Sequence, residues 1–381
     1  MKRSSGNTRP PSRNERRRVK VVVASASILL GLTWAIPGHA TDENRVLAGF
    51  PAISLHGVAS GVVFRELDAA LADHNPLKAP VVGAVSGALL SVGLSPSTSV
   101  FRAPGGEPFF AGDFNGACTN DLPKNRADQQ IHDLQASLAQ QKISFLYAVI
   151  PDKTTSERAT LGPLGPSLLT CSSRNREYLT SAAREPGSPL LVAWPQFDSA
   201  VSAGERLYIY GDSHWSPAGG ELYSKLLLAR LVDDGAAGPN LLADLTTIPK
   251  KVQHRDDLFL LMGQTRMEPV EMLSTVRPNV RTTYSSAIVR NQLVQHWHSS
   301  SPNEPLIPGR TLVLHDSSFE YNAEILAPFF ADLTAVPLAV SDDPGALAKT
   351  GKYDRVILQQ MQRSVPLYVD SLRSAKWIAG G

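Results

Sequence analysis

The sequence predicts an α/β protein built on a parallel sheet with helices on both faces. Three observations carry that prediction. From residue 127 onward, short apolar runs of strand length alternate with amphipathic helical stretches. One run, Ile143–Ile150, is so continuously apolar that it reads as a strand buried on both sides. Finally, 43% hydrophobic and 19% charged residues in a chain of 381 supply a sizeable core and exclude a disordered chain.

Taken in order, the chain opens with a basic region. Residues 1–20 hold eight Lys/Arg (Lys2, Arg3, Arg9, Arg13, Arg16, Arg17, Arg18, Lys20) against one acid, Glu15. Val21–Ile36 follows without charge, and Pro37-Gly38-His39-Ala40 offers small residues for a cleavage site. That order is an export signal or an N-terminal membrane anchor over residues 1–40. The Arg16–Lys20 run reads as a topology signal under the positive-inside rule, with a twin-arginine signal as the alternative. Taking those eight bases and one acid from totals of 37 and 35 leaves 29 basic and 34 acidic residues over 41–381, a net of −5. A mildly acidic body argues against a nucleic-acid surface. Residues 41–381 are expected to form one exported domain, with 41–115 as its lead-in.

Within the lead-in, Phe64, Leu67 and Leu71 mark a helix over Val63–Ala72, Val81–Leu94 is apolar and rich in small residues, and Phe109-Phe110 follows a Pro-Gly-Gly break as a short strand. Ile131, Leu134 and Leu138 give one face of a helix over about 127–141. Strands are then expected at Ile143–Ile150, Pro189–Trp194, Leu207–Tyr210, Thr311–Leu314 and Arg355–Leu358. Helices are expected at Ala218–Leu231 and Tyr321–Phe330. The only cysteines, Cys118 and Cys171, form an even pair in an oxidising compartment and are expected to be bridged. Such a bridge contributes roughly 4 kcal/mol in the chain-entropy model. Neither has a CxxC or nearby His partner, so no metal site is expected.

In open α/β sheets reactive groups lie beyond the carboxyl ends of strands, which directs attention past Tyr210, Leu314 and Leu358. Past the first lies Gly211-Asp212-Ser213-His214-Trp215-Ser216-Pro217, with Ser216 as N-cap and Pro217 in the first turn of the next helix. An Asp and a His two apart can put a carboxylate on one imidazole nitrogen and leave the other as a general base. Past the second lies His315-Asp316-Ser317-Ser318-Phe319, where a serine at a sharp turn can present its hydroxyl. Either motif alone reads equally well as a helix cap. Together they complete a Ser-His-Asp set, recognised by role and not by order. No histidine follows His315, so the serine must use a His that precedes it. Ser213 is a competing nucleophile, but it sits awkwardly beside His214. His254-Arg255-Asp256-Asp257-Leu258 imitates a kinase catalytic loop without the other kinase motifs, and His296-Trp297-His298 reads as the face of a strand with no acid nearby.

The motif Asp-x-His-Trp followed by Ser-Pro, with a later strand ending in an Asp-Ser-Phe-like turn, resembles the periplasmic alginate O-acetylation proteins, the AlgJ/AlgX-like family. Pro151-Asp152-Lys153 is similar to the family's Pro-Asp-Lys segment, and Asp257-Leu258 with Met262-Gly263 to its Asp-Leu stretch. Gln362-Arg363 stands where Glu-Arg is usual, and Gly57–Phe114 is similar to the lead-in. The resemblance covers most of residues 57–370 and is nearer the branch without a carbohydrate-binding module. It implies an SGNH-hydrolase-like parallel sheet flanked by helices, with the Asp-x-His motif preceding the nucleophilic serine. It implies catalytic Ser317, His214 and Asp212, with Ser318 as the alternative register for the serine. Tyr321, Arg363, His315 and Trp215 are expected to bind substrate or stand behind the catalytic groups. The implied activity is O-acetyl transfer to an extracellular polysaccharide, alginate or similar, without a cofactor. A membrane-bound O-acyltransferase would supply acetyl groups from the inner membrane to this periplasmic protein. An exported carbohydrate esterase using the same residues, and a non-catalytic polysaccharide-binding component, are the alternatives.

Overall fold

In the computed structural model the described residues are 78–115, 124–242, 245–289, 292–338 and 353–365, with a few isolated positions before residue 78. The export segment 1–40 and Cys118 lie outside them. The chain divides into two units, Met1–Val92 and Gly93–Gly381. The first contains helix α1 (Lys78–Ser91), and positions 63, 66, 67 and 70 of the expected Val63–Ala72 helix are helical. No helix among the described residues is long and apolar enough to cross a membrane.

The second unit carries the strands. A small hairpin of β1 (Val100–Arg102) and β2 (Pro108–Phe110) comes first, followed by β3 (Ser144–Ile150) and β4 (Leu190–Val192). A separate antiparallel ribbon pairs β5 (Thr247–Arg255) with β6 (Met267–Thr275). The series ends with β7 (Arg281–Val289), β8 (Gln292–Ser300), β9 (Ile307–His315), β10 (Phe330–Pro337) and β11 (Arg355–Met361). Seven of these form one sheet in the order β4-β3-β11-β9-β10-β8-β7. The stretch from β4 to β10 is parallel, whereas β8 runs antiparallel to β10 and β7 to β8.

The sheet is therefore mixed, not wholly parallel as expected. The reason lies in composition. Every residue of β7 is exposed, and its Thr- and Ser-rich sequence suits a strand that faces water, which antiparallel edges tolerate and parallel sheets do not. By contrast, β3 is buried on both faces. Leu146, Ala148 and Ile150 enter one core, while Tyr147 and Val149 enter the other. That period of two is the strand geometry itself. Helix α5 (Pro217–Asp233) covers the first face with Tyr223, Leu227, Leu228 and Leu231. Helix α2 (Lys124–Gln140) covers the second with Ile131, Leu134 and Leu138, beside Leu179 and Ala182 of α3 (Thr170–Ala182). Helix α4 (Trp194–Ser202) sends Phe197 to one core and Trp194 to the other.

Two expected elements differ. Leu207–Tyr210 is not a strand of the sheet, because its backbone groups are satisfied by the loop that follows. The Ile209 N–H donates to the His214 carbonyl and the Ser216 N–H to the Leu207 carbonyl, leaving only a bridge between Tyr208 and Trp215. Tyr321–Phe330 is not one helix but a 3-10 turn (Ser317–Tyr321), a single α turn (Ala323–Leu326) and a second 3-10 turn containing Pro328 (Ala327–Phe329). Asn322 leaves helical geometry, and the ring of Pro328 cannot continue an α-helix. Cys171 stands in α3.

Candidate active site

Three adjacent parallel strands, β3, β11 and β9, end at one edge of the sheet, and each delivers polar residues there. Asp152 and Lys153 follow β3, Gln362 and Arg363 follow β11, and Asp316 and Ser317 follow β9. Asp316 ties two of these ends together. Its Oδ1 accepts from the Ser318 N–H (3.0 Å) as the N-cap of the serine turn, and its Oδ2 accepts from the Met361 N–H (2.6 Å). The turn leaves Ser317 exposed and Ser318 buried.

The Asp-His loop reaches this edge from beside α5. Ser216 caps α5, its hydroxyl oxygen accepting from the Gly219 N–H. A Cβ on Gly219 would lie 2.3 Å from the Leu207 carbonyl oxygen, so only glycine allows that approach. Lys153, fully buried, donates to the carbonyl oxygens of Ile209 (2.9 Å) and Tyr210 (2.6 Å) and pairs with Glu107 (3.2 Å). One buried ammonium thus fixes the loop backbone just before Asp212. Burial pushes the Lys153 ammonium below its usual value, against the charges of Glu107 and Glu157.

Asp212, His214 and Ser317 form one hydrogen-bonded chain. The His214 Nδ1–H donates to Asp212 Oδ1 (2.5 Å), and His214 Nε2 lies 2.7 Å from Ser317 Oγ. Asp212 is fully buried and accepts four N–H groups: His214 Nδ1 and backbone N on Oδ1, His254 Nε2 (2.7 Å) and the Asp257 backbone N (3.0 Å) on Oδ2. Burial alone would raise its carboxyl, but the hydrogen bonds from the two histidines outweigh it and hold Asp212 well below the carboxylate range. Burial alone would lower the His214 imidazole. The Asp212 hydrogen bond and the charges of Asp212 and Asp257 overcome it, and His214 sits above its ordinary value. Such an imidazole can take a proton from the serine hydroxyl and hold it as a stabilised cation.

Ser213 does not compete for this position, because its hydroxyl donates to Asp257 Oδ2 (2.5 Å). Tyr321 stacks on His214 with centroids 4.5 Å apart and meets His254 edge-on at 5.7 Å. The remaining expected residues stand behind the reacting atoms. Trp215 is buried in the core against Tyr223, and His315 is buried with its Nδ1–H on the Asp316 carbonyl and its ring on Phe319. Burial lowers His315 to about 4, so it is neutral. Arg363 donates to both Asp113 (3.0 Å) and Asp152 (2.9 Å), so Asp152 pairs with Arg363 and not with its neighbour Lys153. Gln362 is also structural, its amide bridging Thr155 and the Ser172 carbonyl.

Two site residues were not foreseen as such. His254 and Asp257 belong to the stretch that imitates a kinase loop, and the β5–β6 ribbon brings them onto Asp212 and Ser213. The one signal for them was the Asp257-Leu258 resemblance. Asp332 also lies 3.3 Å from His296, so that pair does have an acid nearby. Asp212, His214 and Asp257, or Asp212, His254 and Asp256, are spaced as metal ligands would be, but the oxygens of Asp212 already accept four N–H groups.

With this geometry in place, residues 109–289 match the family model of the SGNH hydrolase-like domain of acetyltransferase AlgX. Residues 109–289 are thus similar to an SGNH hydrolase-like domain of the AlgX type. The matched stretch includes the Asp-His loop and His254 and ends before Ser317. Among solved structures, PatB1 of Bacillus cereus is similar at 13% identity and a TM-score of 0.50, over 70% of this chain and 96% of that one. The O-acetyltransferase domain of Pseudomonas putida AlgJ aligns at 12% identity over 72% and 99%, with a TM-score of 0.46. Pseudomonas aeruginosa AlgX aligns at 14% identity over 70% and 65%, with a TM-score of 0.43. No curated protein matches the sequence.

Proposed function

We propose that this protein is an exported O-acetyltransferase that places acetyl groups on hydroxyls of an extracellular polysaccharide, alginate or similar. The observation that carries the reading is the chain Asp212–His214–Ser317, ending in an exposed serine hydroxyl. The AlgX-type family match over residues 109–289 supports the reaction class.

In this reading Ser317 Oγ attacks the carbonyl carbon of an acetyl ester while His214 Nε2 takes the hydroxyl proton. Collapse of the tetrahedral intermediate breaks the bond to the donor oxygen, which leaves with the proton from His214, and Ser317 becomes acetylated. A sugar hydroxyl then attacks the acetyl-serine, giving its proton to His214. The imidazolium returns that proton to Ser317 Oγ as the ester bond breaks. Asp212 keeps Nδ1 protonated and stabilises the imidazolium at both stages. The exported compartment lacks a cytosolic thioester pool, so acetyl arrives through a membrane-bound O-acyltransferase, with the basic and apolar residues 1–40 directing export or tethering the chain.

The test is acceptor competition. With an activated acetyl ester as donor and rising oligosaccharide, acetylated sugar should increase at the expense of free acetate. Acetate release that is fast and indifferent to acceptor would instead make this an esterase.

A further inference from the structure

Asp212 is shared between two histidines, and only one of them touches the serine. His254, near the end of β5, donates from Nε2 to Asp212 Oδ2 at 2.7 Å, opposite the oxygen that holds His214. Its side chain is 11% exposed, like that of His214. The ribbon end that carries it is docked on the same loop: the Leu258 N–H donates to the Gly211 carbonyl (3.2 Å) and the Asp257 N–H to Asp212 Oδ2. A Cβ on Gly211 would lie 2.3 Å from Asp256 Oδ2, so the Asp256 side chain packs directly on the Gly211 backbone. Tyr321 packs against both imidazoles.

We infer that His254 is a positioning residue for the acyl-serine reaction, its Nε2–H clamping the Asp212 carboxylate in the plane that directs Oδ1 at His214. The inference rests on the Ser317 reading above. Held by one imidazole besides the backbone N–H groups of His214 and Asp257, the carboxylate keeps some freedom about χ2 to offer that imidazole a poorer lone pair. A second imidazole, on Oδ2 beside the Asp257 N–H, removes that freedom. It also supports the ionised form, because a hydrogen bond donated to a carboxylate favours its charge. His254 does not touch the reacting atoms; it acts through Asp212. The demand on residue 254 is therefore a donor at the Nε2 position. Glutamine supplies one at that reach, whereas leucine supplies none and asparagine is too short.

The test compares His254→Leu, His254→Asn and His254→Gln in the full chain, with acetyl release from an activated ester as the readout and thermal melting as the fold control. His254→Leu and His254→Asn should lower kcat roughly ten- to a hundredfold with KM little changed. His254→Gln should recover most of that loss. A folded His254→Leu or His254→Asn enzyme with the unaltered kcat overturns the inference. So does a His254→Gln enzyme as slow as His254→Asn, since the imidazole itself would then be needed. If His254→Leu does not fold, the Asn and Gln pair decides alone. Ser317→Ala run in parallel separates the two readings. Acetyl release surviving in Ser317→Ala removes the acyl-serine reaction. Its loss there, beside a fully active His254→Asn, removes only the role of His254.

Discussion

In the proposed reaction, His214 is where pH enters. Asp212 and Asp257 together hold its imidazole above the ordinary value of about 6.5, and the base must be neutral to accept the serine proton. The ascending limb of kcat/KM against pH should therefore inflect above that value. Asp257 Oδ2 stands 3.7 Å from His214 Nδ1, while its backbone N–H, which any residue supplies, serves Asp212. Asp257→Asn should then shift the limb downward; an unmoved limb would remove Asp257 from the electrostatics of the site. His315 acts in the opposite sense, through stability. Its folded value is about 4, below the unfolded 6.5, so the unfolded chain binds the proton first as the solution is acidified. Stability is lost as pH falls through that window, by at most roughly 3 kcal/mol for this residue. Urea midpoints measured from pH 7 to 4 should show the loss, and His315→Leu should flatten that part of the curve. Asp212, His214 and Ser317 were legible in the sequence because each sits in a compact local motif. His254 and Asp257 were not, because the β5–β6 ribbon carries them to the site over 40 residues of chain that holds no such motif.

The strand ends make up the floor of the site, and their ionic ties are what hold it. Arg363 joins Asp113 and Asp152, both buried to 0% exposure, so one guanidinium compensates two interior carboxylates. Burial raises both carboxyls, against the pull of Arg363. Arg363→Met should cost about 3–5 kcal/mol at neutral pH, because it leaves buried charge unpaired. The deficit should shrink on acidification as those carboxyls take up protons. A chemical denaturation midpoint that hardly moves would mean that the carboxyls are already neutral. Elements read well from the sequence where burial writes a continuous apolar run, as in β3, or a helical face, as in α2. They read poorly where the pattern is polar, as in β7, and where a loop satisfies its own backbone, as at Leu207–Tyr210. Tyr321–Phe330 failed for a third reason: its apolar spacing is helical, but Asn322 and Pro328 cut it into single turns.

At the scale of the whole molecule, the proposed export would place Cys118 and Cys171 in an oxidising compartment. The basic segment is confined to residues 1–20, and the net of −5 beyond residue 40 argues against a nucleic-acid surface. Peptide mapping without reductant should link Cys118 to Cys171, and Cys171→Ser should lower stability by roughly 2–4 kcal/mol. Two free thiols in freshly exported protein would contradict the bridge. The parallel core of the sheet, foreseen from alternating strands and helices, is what sets Ser317 beside a loop that belongs to a different part of the chain. The central claim is that this juxtaposition makes Ser317 a carrier of acetyl groups. It is tested most directly by brief exposure of the protein to an activated acetyl ester, acid quenching and peptide mass mapping. One acetyl group should appear on the peptide containing Ser317, be absent from Ser317→Ala, and be discharged when oligosaccharide is added before the quench. Turnover of the ester with no acetyl on that peptide, or an equal acetyl load in Ser317→Ala, would contradict the account.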